Sequence, residues 1–374
     1  MRYYFVAGER SGDLHGSNLI KALRKHDPQA DMRGFGGVQM EAAGMELKVD
    51  YRQMAFMGLV AVIANIGSII RLFNFCKRDI LSYKPDVVIL IDYAGFNMRV
   101  ARFCKKNNLK VFYYISPKVW AWNTSRAWKL KAHVDRLFSI LPFEKDFFKK
   151  FDWEIDYVGN PVLDAIKSFQ PDSDFRQKNN LVTDKKIVAL LPGSRKLELK
   201  RMIPVMAEVV NKNPDYQFVV AAVQTLPPEL YLPLKEIESV KFVYESTYDL
   251  LTHARAAIVT SGTATLETGL FKVPQAVIYK ASSLEYFILK RLVKAPFISL
   301  SNLIANRLVI KEFIQHEMNA DNLNRELKQL VEETPVRTKM LLDYNEVYQI
   351  LDTGSASENA ARLVVGYLTV GKNT

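Results

Sequence analysis

Along the first 160 residues, short apolar runs alternate with longer stretches whose apolar residues recur at helical spacing. Residues 3–7, 32–36, 87–92, 111–115, 136–140 and 155–158 read as strands separated by helix-length segments. Such alternation predicts an α/β fold with a mostly parallel, doubly wound sheet. A polar, aperiodic stretch at 168–184 then reads as an interdomain linker. The alternation resumes at 187–191, 218–222, 241–243, 256–260 and 275–279, which predicts a second sheet of the same kind. Two Rossmann-like domains, 1–167 and 185–335, would then face a central cleft at the carboxyl ends of their strands, where ligands of such sheets bind. Residues 336–374 read as helices (339–351 and 357–368) without strand partners, to be packed on the N-terminal domain or exchanged with a partner subunit.

A length of 374 residues suits two domains, and 49% hydrophobic with 24% charged residues excludes disordered, collagen-like and coiled-coil classes. Two cysteines, Cys76 and Cys104, are too few for a disulfide framework or a four-ligand zinc site and fit a reducing cytoplasm. The apolar start at 3–7 is broken by Gly8-Glu9-Arg10, so it is too short for a signal peptide. Charge is the outlier: 51 Lys and Arg against 40 Asp and Glu give +11, which points to an anionic partner. Thirteen of the basic residues fall within 99–151 against three acidic ones, interleaved with Trp120, Trp122 and Trp128. That band fits single-stranded nucleic acid, an anionic membrane surface, or simply solvated helix faces. Just upstream, 53–70 is 18 residues without a charge, but Gly58, Asn65, Gly67 and Ser68 argue against a full span. Continued through Arg71, Lys77 and Arg78, it reads as a core helix or, with Met54, Phe56, Met57, Leu59, Val62 and Ile63 protruding, as a monotopic docking surface.

Three loops carry candidate chemistry. The first strand feeds Ala7-Gly8-Glu9-Arg10-Ser11-Gly12-Asp13, a glycine-bearing turn into a helix that exposes backbone N–H groups without the dinucleotide spacing G-x-G-x-x-G. Glu9 and Asp13 could bind a polyol or accept a proton; helix capping by Ser11 or Asp13 is the structural alternative. Later, Pro192-Gly193-Ser194-Arg195 closes one strand, and the run from Ser261-Gly262-Thr263 to Glu267 closes another and starts a helix. The helix start offers donors and a dipole to a diphosphate, Arg195 a forked cation and Glu267 an acceptor for sugar hydroxyls, which together describe a nucleotide-sugar site. The five histidines (His15, His26, His133, His253, His316) form no metal-binding spacing and read as surface or packing residues. Nucleophile-elbow and P-loop motifs are absent, and Asp172-Ser173-Asp174, although it spells D-x-D, falls in the expected linker as a solvated turn.

Taken together, AGERSGD (7–13), MAFMGLVAV (54–62), KPDVVILID (84–92), ISPKVWAW (115–122), LPFEK (141–145), LLPGSR (190–195), SGTATLE (261–267) and KAPFISLSNLIANR (294–307) resemble the lipid-A-disaccharide synthase family of GT-B glycosyltransferases along essentially the whole chain. The resemblance implies a GT-B architecture and a metal-independent, inverting transferase of Gram-negative bacteria without a cofactor. UDP-2,3-diacylglucosamine and 2,3-diacylglucosamine 1-phosphate would be joined into the β-1,6 lipid A disaccharide 1-phosphate, releasing UDP. It also implies a cytoplasmic enzyme held peripherally at the anionic inner membrane, a homodimer, and no nucleic-acid partner. On this resemblance Gly193, Ser194, Arg195, Ser261, Gly262, Thr263, Glu267 and Asn302 hold the UDP-sugar, Glu9 and Ser11 lie near the reacting sugars, and Trp120 and Trp122 join Met54, Phe56, Met57, Leu59, Val62 and Ile63 in contacting acyl chains or membrane. Two positions depart from the family: Gly95 stands where an Asp base candidate is usual, and Asn160 where a His is common. Neither can transfer a proton, so the general base falls to Asp92, with Glu9 and Asp13 as rivals. A UDP-GlcNAc 2-epimerase would share the two domains and the UDP cradle but have no use for an apolar 53–70 face. A basic nucleic-acid-binding protein would leave Arg195 and Glu267 without purpose.

Overall fold

Uninterrupted apolar runs such as Val87–Ile91 and Ile187–Leu191 are buried at every residue, as strands of a parallel sheet covered on both faces must be. In the computed structural model, which describes residues 1–54, 66–122, 124–182, 184–282, 285–287, 291 and 295–370, these runs form the centres of two sheets. The chain divides into one unit comprising Met1–Pro161 with Thr353–Thr374 and a second comprising Val162–Asp352.

The first unit runs β1 (Arg2–Ala7), α1 (Arg10–His26), β2 (Asp31–Gly36), α2 (Val38–Ala42), β3 (Glu46–Asp50), α3 (Ile66–Tyr83), β4 (Val87–Ile91), α4 (Ala94–Lys106), β5 (Val111–Tyr114), α5 (Val119–Trp122), α6 (Arg126–His133), β6 (Arg136–Ser139), α7 (Glu144–Lys149) and β7 (Asp156–Tyr157). Its seven strands are parallel in the order β3-β2-β1-β4-β5-β6-β7. The second unit runs α8 (Pro161–Ser168), α9 (Phe175–Lys178), β8 (Ile187–Leu191), α10 (Lys196–Asn211), β9 (Gln217–Ala222), α11 (Leu232–Lys235), β10 (Lys241–Tyr244), α12 (Thr247–His253), β11 (Ala254–Thr260), α13 (Thr263–Leu270), β12 (Gln275–Tyr279), α14 (Leu300–Ala305), β13 (Glu312–Ile314), α15 (Ala320–Val331) and α16 (Pro335–Leu351). Its six parallel strands follow the order β10-β9-β8-β11-β12-β13. The doubly wound α/β fold expected from the alternation is present in both units.

Two strands, β3 and β13, escape the apolar pattern. Both lie at sheet edges and are short and charged (ELKVD and EFI), the composition that keeps an edge from pairing with another chain. The stretch 168–184, expected as a linker, packs inside the second unit. Phe175 and Leu181 are buried in one cluster with Leu250 and Leu251, and the Asp172 N–H donates to Asp249 Oδ1 at 2.7 Å. Asp172 to Asp174 is a surface turn closed by the Asp174 N–H on Asp172 Oδ1 and by a Lys178–Asp172 ion pair. The two C-terminal helices part company: α16 contributes Met340 and Tyr344 to the second core, whereas α17 (Ala356–Val370) returns to the first unit. There Ala360, Ala361, Val364 and Leu368 join Leu19, Ile20 and Leu23 of α1 in one buried cluster. Asn359 Nδ2 donates to the Val158 carbonyl at 3.1 Å, and the Arg136 guanidinium lies 3.8 Å from the Tyr367 ring centroid.

Candidate functional site

Strand order reverses between β1 and β4 in the first unit and between β8 and β11 in the second. Chains leaving two such neighbours run to opposite faces, and the opening left at their carboxyl ends is where open α/β sheets bind ligands. All three loops singled out in the sequence leave one of these four strands.

In the first unit the loop after β1 passes directly beneath the Tyr93 ring. A Cβ on Gly8 would come within 2.3 Å of that ring, so glycine is what lets the two loops meet. Asp92 and Tyr93 both adopt left-handed backbone conformations, with φ of 45° and 49°. Two consecutive non-glycine residues there store strain of order 1–3 kcal/mol each and persist only where neighbours hold them. The holders are evident: the Asp92 N–H donates to the Tyr114 carbonyl at 3.1 Å, and its own carbonyl accepts from Tyr113 Oη at 2.5 Å and Asn97 Nδ2 at 2.8 Å. Asn97, fully buried, also reaches the Val6 and Ile91 carbonyls, and Tyr93 Oη donates to the Met54 carbonyl at 2.7 Å. Burial raises the Asp92 carboxyl above the usual range, with the Lys118 charge and the Tyr93 N–H acting against the rise. A carboxylate made more basic in this way is suited to accept a proton. Glu9 occupies the N-cap position of α1 without a side-chain cap bond, and burial, joined by its charge, raises the Tyr93 hydroxyl, while Ser11 is exposed in the first turn of α1.

Asp13 has a different task from the proton acceptor considered above. It is 1% exposed, and its two oxygens accept three backbone N–H groups, from Gly37 and Met40 on Oδ1 and from Gln39 on Oδ2. It caps α2, the neighbouring helix, rather than the one it belongs to. Met54 is likewise a core residue, 1% exposed, and not a lipid contact. Phe56, Met57, Leu59, Val62 and Ile63, with the side chain of Trp122, lie outside the described residues. Trp120 is half-buried, edge-on to Phe143 with centroids 5.0 Å apart, and donates its Nε1–H to Glu144 Oε1 at 3.2 Å. Sequence patterning did not single out Glu144 or His15. Burial pushes the Glu144 carboxyl up to about 8 against the hydrogen bonds it accepts, and drops the His15 imidazole to about 4, so His15 is neutral at physiological pH.

In the second unit the loop after β8 turns at Gly193 (φ 104°), where a Cβ would meet Glu198 Oε2 at 2.5 Å. That carboxylate accepts the Ser194 and Arg195 N–H groups at 3.1 and 3.2 Å. These two donors, the Ser194 and Arg195 N–H groups, are therefore engaged in capping α10. The Arg195 side chain, 71% exposed and touching only Glu198 at 3.2 Å among the described residues, points free of the core. After β11, the Ser261 hydroxyl donates to the Ile298 carbonyl at 2.8 Å and so is not a free phosphate donor. Gly262 and Thr263, both exposed, begin α13. Glu267 is half-buried, accepts Tyr248 Oη on Oε1 at 2.9 Å, and has its carboxyl raised by burial. Asn302 is completely buried and fully used: Nδ2 donates to the Ile310 carbonyl and Glu312 Oε1, and Oδ1 accepts the Val309 and Ile310 N–H groups, all at 2.8 Å. With Glu312, which also accepts the Ile298 and Ser299 N–H groups, it fixes the 298–312 segment against the β11 loop instead of touching a ligand.

With this geometry in view, comparison with known proteins is direct. The family described as Lipid-A-disaccharide synthetase matches residues 3–364. The lipid-A-disaccharide synthase of Geobacter metallireducens is 37% identical over 374 residues, covering 98% of this chain and 97% of the relative. Among solved structures, UDP-GlcNAc 2-epimerase from Neisseria meningitidis superposes with a TM-score of 0.66 at 15% identity, covering 99% of this chain and 100% of that one. CalG4, the calicheamicin glycosyltransferase, gives 0.62 at 14% identity, with 98% of each chain covered. At such identities these two structures establish the shared GT-B fold alone.

Two substitutions separate the roles of Arg195 and Asn302. Asn302→Ala strands two buried N–H donors and should lower unfolding free energy in urea by roughly 2–4 kcal/mol. Arg195→Ala should leave the urea midpoint within error while weakening UDP binding measured by calorimetry; unaltered affinity would remove Arg195 from the nucleotide site.

Proposed function

The chain belongs to the lipid-A-disaccharide synthase family and is a glycosyltransferase, and from that premise we propose how its residues carry out the reaction. The donor is UDP-2,3-diacylglucosamine and the acceptor is the 6-hydroxyl of 2,3-diacylglucosamine 1-phosphate. Asp92 takes the hydroxyl proton as that oxygen attacks the anomeric carbon and the bond to UDP breaks, giving the β-linked disaccharide with inversion in one displacement. The observation that carries this reading is the strained turn at the β4 carboxyl end, which presents a carboxylate whose proton affinity burial has raised. Glu9, on the adjoining loop, is placed to bind hydroxyls of the sugars. On the second unit, charge building on the departing UDP is met by the Arg195 guanidinium and by the N–H groups that open α13. Glu267 keeps one oxygen on Tyr248 and offers the other to a sugar hydroxyl.

Both substrates carry acyl chains, which supports peripheral association with the anionic inner membrane. Among the described residues no helix is long and apolar enough to cross a membrane. The first unit has an open groove of about 730 Å³ lined by Lys48, Arg71 and Arg78 together with Val49, Leu72 and Phe75. Cations beside apolar side chains suit a phosphate-bearing lipid. Of the basic band, Lys129, Lys149 and Lys150 are exposed. Lys131 is not interchangeable with them, since its Nζ donates to the Phe151 and Asp152 carbonyls at 2.9 and 2.7 Å.

Asp92→Asn should retain the fold and cut turnover of the diacylated pair by roughly 10²–10⁴-fold, the usual contribution of a general base; near-normal turnover would move the assignment to Glu9. Product from UDP-GlcNAc alone, with none from the diacylated pair, would overturn the transferase reading. Changing Lys129, Lys149 and Lys150 to Ser should weaken sedimentation with vesicles rich in anionic phospholipid, most at low salt, and leave UDP affinity unchanged.

A further inference from the structure

In the second half of α13, Thr265, Leu266, Thr268, Gly269 and Leu270 are buried, and only Glu267 keeps part of its side chain open. Its two oxygens are used unequally. Oε1 accepts the Tyr248 hydroxyl at 2.9 Å, whereas no donor or cation among the described residues meets Oε2. Glu267 stands four residues beyond Thr263, about 6 Å along the helix axis from the N–H groups assigned to the diphosphate. A sugar joined to that diphosphate is within reach of such a carboxylate.

The bond to Glu267 is the only one the Tyr248 hydroxyl makes among the described residues. The ring behind it is fixed from two sides. It lies 5.0 Å from Phe271 and edge-on to Phe169 at 5.4 Å, and those two rings are 5.9 Å apart, so the three close a triangle. The helix that carries Tyr248, α12, is pinned in turn by the stretch 169–175: the Asp172 N–H donates to Asp249 Oδ1 at 2.7 Å, and Phe175 stacks on His253 at 5.4 Å with 5° between the ring planes. A phenylalanine would complete the same triangle. What the tyrosine adds is its hydroxyl, and the hydroxyl is aimed at the carboxylate.

We propose that Tyr248 is a positioning residue for the nucleotide: by holding Oε1 of Glu267, it aims Oε2 at a ribose hydroxyl of UDP. The proposal rests on Glu267 being the acceptor for a sugar hydroxyl. The donor's glucosamine is the part assigned to the base on the first unit, which leaves the ribose for α13. A glutamate loses side-chain freedom when it grips a ligand, and anchoring one oxygen beforehand takes much of that loss out of the binding step. Burial raises the Glu267 carboxyl and the Tyr248 bond opposes the rise, which favours the ionised form that only accepts hydrogen bonds.

The test is calorimetric binding of UDP and of 2′,3′-dideoxy-UDP to the unaltered protein, Tyr248→Phe and Glu267→Gln. Tyr248→Phe should bind UDP roughly tenfold more weakly, the scale of one hydrogen bond to a charged group, and bind the dideoxy nucleotide as the unaltered protein does. In turnover it should raise KM for the UDP-sugar and leave kcat nearly unchanged. An equal loss for both nucleotides would reduce the hydroxyl to a support of the fold, and undiminished UDP affinity would remove it from the site; either overturns the proposal. Phe169→Leu loosens the ring triangle but keeps the hydroxyl, and serves if Tyr248→Phe folds poorly. It should give a smaller loss with the same dependence on the ribose hydroxyls, and a loss shared by the dideoxy nucleotide counts against positioning. Glu267→Gln reports separately on the carboxylate: UDP affinity unaltered there refutes the reading of Glu267 itself, whereas a loss confined to UDP there, with none in Tyr248→Phe, refutes only the positioning role.

Discussion

At the centre of each sheet two adjacent parallel strands send their chains to opposite faces, and the crevice left at their carboxyl ends is the constraint from which the rest follows. Because the strands are parallel, their ends and the helix starts that follow them gather on one edge. Glu9, Asp92 and the 115–120 segment are thereby collected in the first unit, and Arg195, Gly262–Thr263 and Glu267 in the second. The chemistry is local to these edges. The remaining residues of each unit bury the sheet faces that keep the edges fixed.

Holding those edges uses polar groups whose hydrogen bonds are made within the protein. Asp13 caps α2, Asn97 gathers three carbonyls around the Asp92 turn, Glu198 satisfies the β8 loop, and Asn302 with Glu312 anchors the segment beside α13. Each lies in or beside a motif that reads, in one dimension, as ligand-binding. A buried carboxylate or amide must be satisfied by the protein, and a loop that departs from regular structure has unpaired N–H and C=O groups to offer. The same residue types thus serve two ends, and only the neighbours they meet in the fold tell them apart.

The basic band shows the same duality. Its excess of charge is real, but Lys105 pairs with Asp135, Lys131 caps two carbonyls and Arg136 lies over Tyr367. The cations left to solvent are a subset of those counted along the chain.

The sequence by itself determined the α/β class, eleven of the strands and which loops leave the carboxyl ends, because apolar periodicity directly reports burial on two faces. It also carried the motifs that place the chain in its family. The short charged edges β3 and β13, the course of 168–184 through a core by way of Phe175 and Leu181, and the return of α17 to the first unit were settled only by tertiary packing. So were the hydrogen-bonded or core placements of Asp13, Met54 and Asn302. The physical reason is that an edge, a cap or a buried hydrogen bond is defined by a partner on another element of the fold, and which partner that is has no trace in local composition.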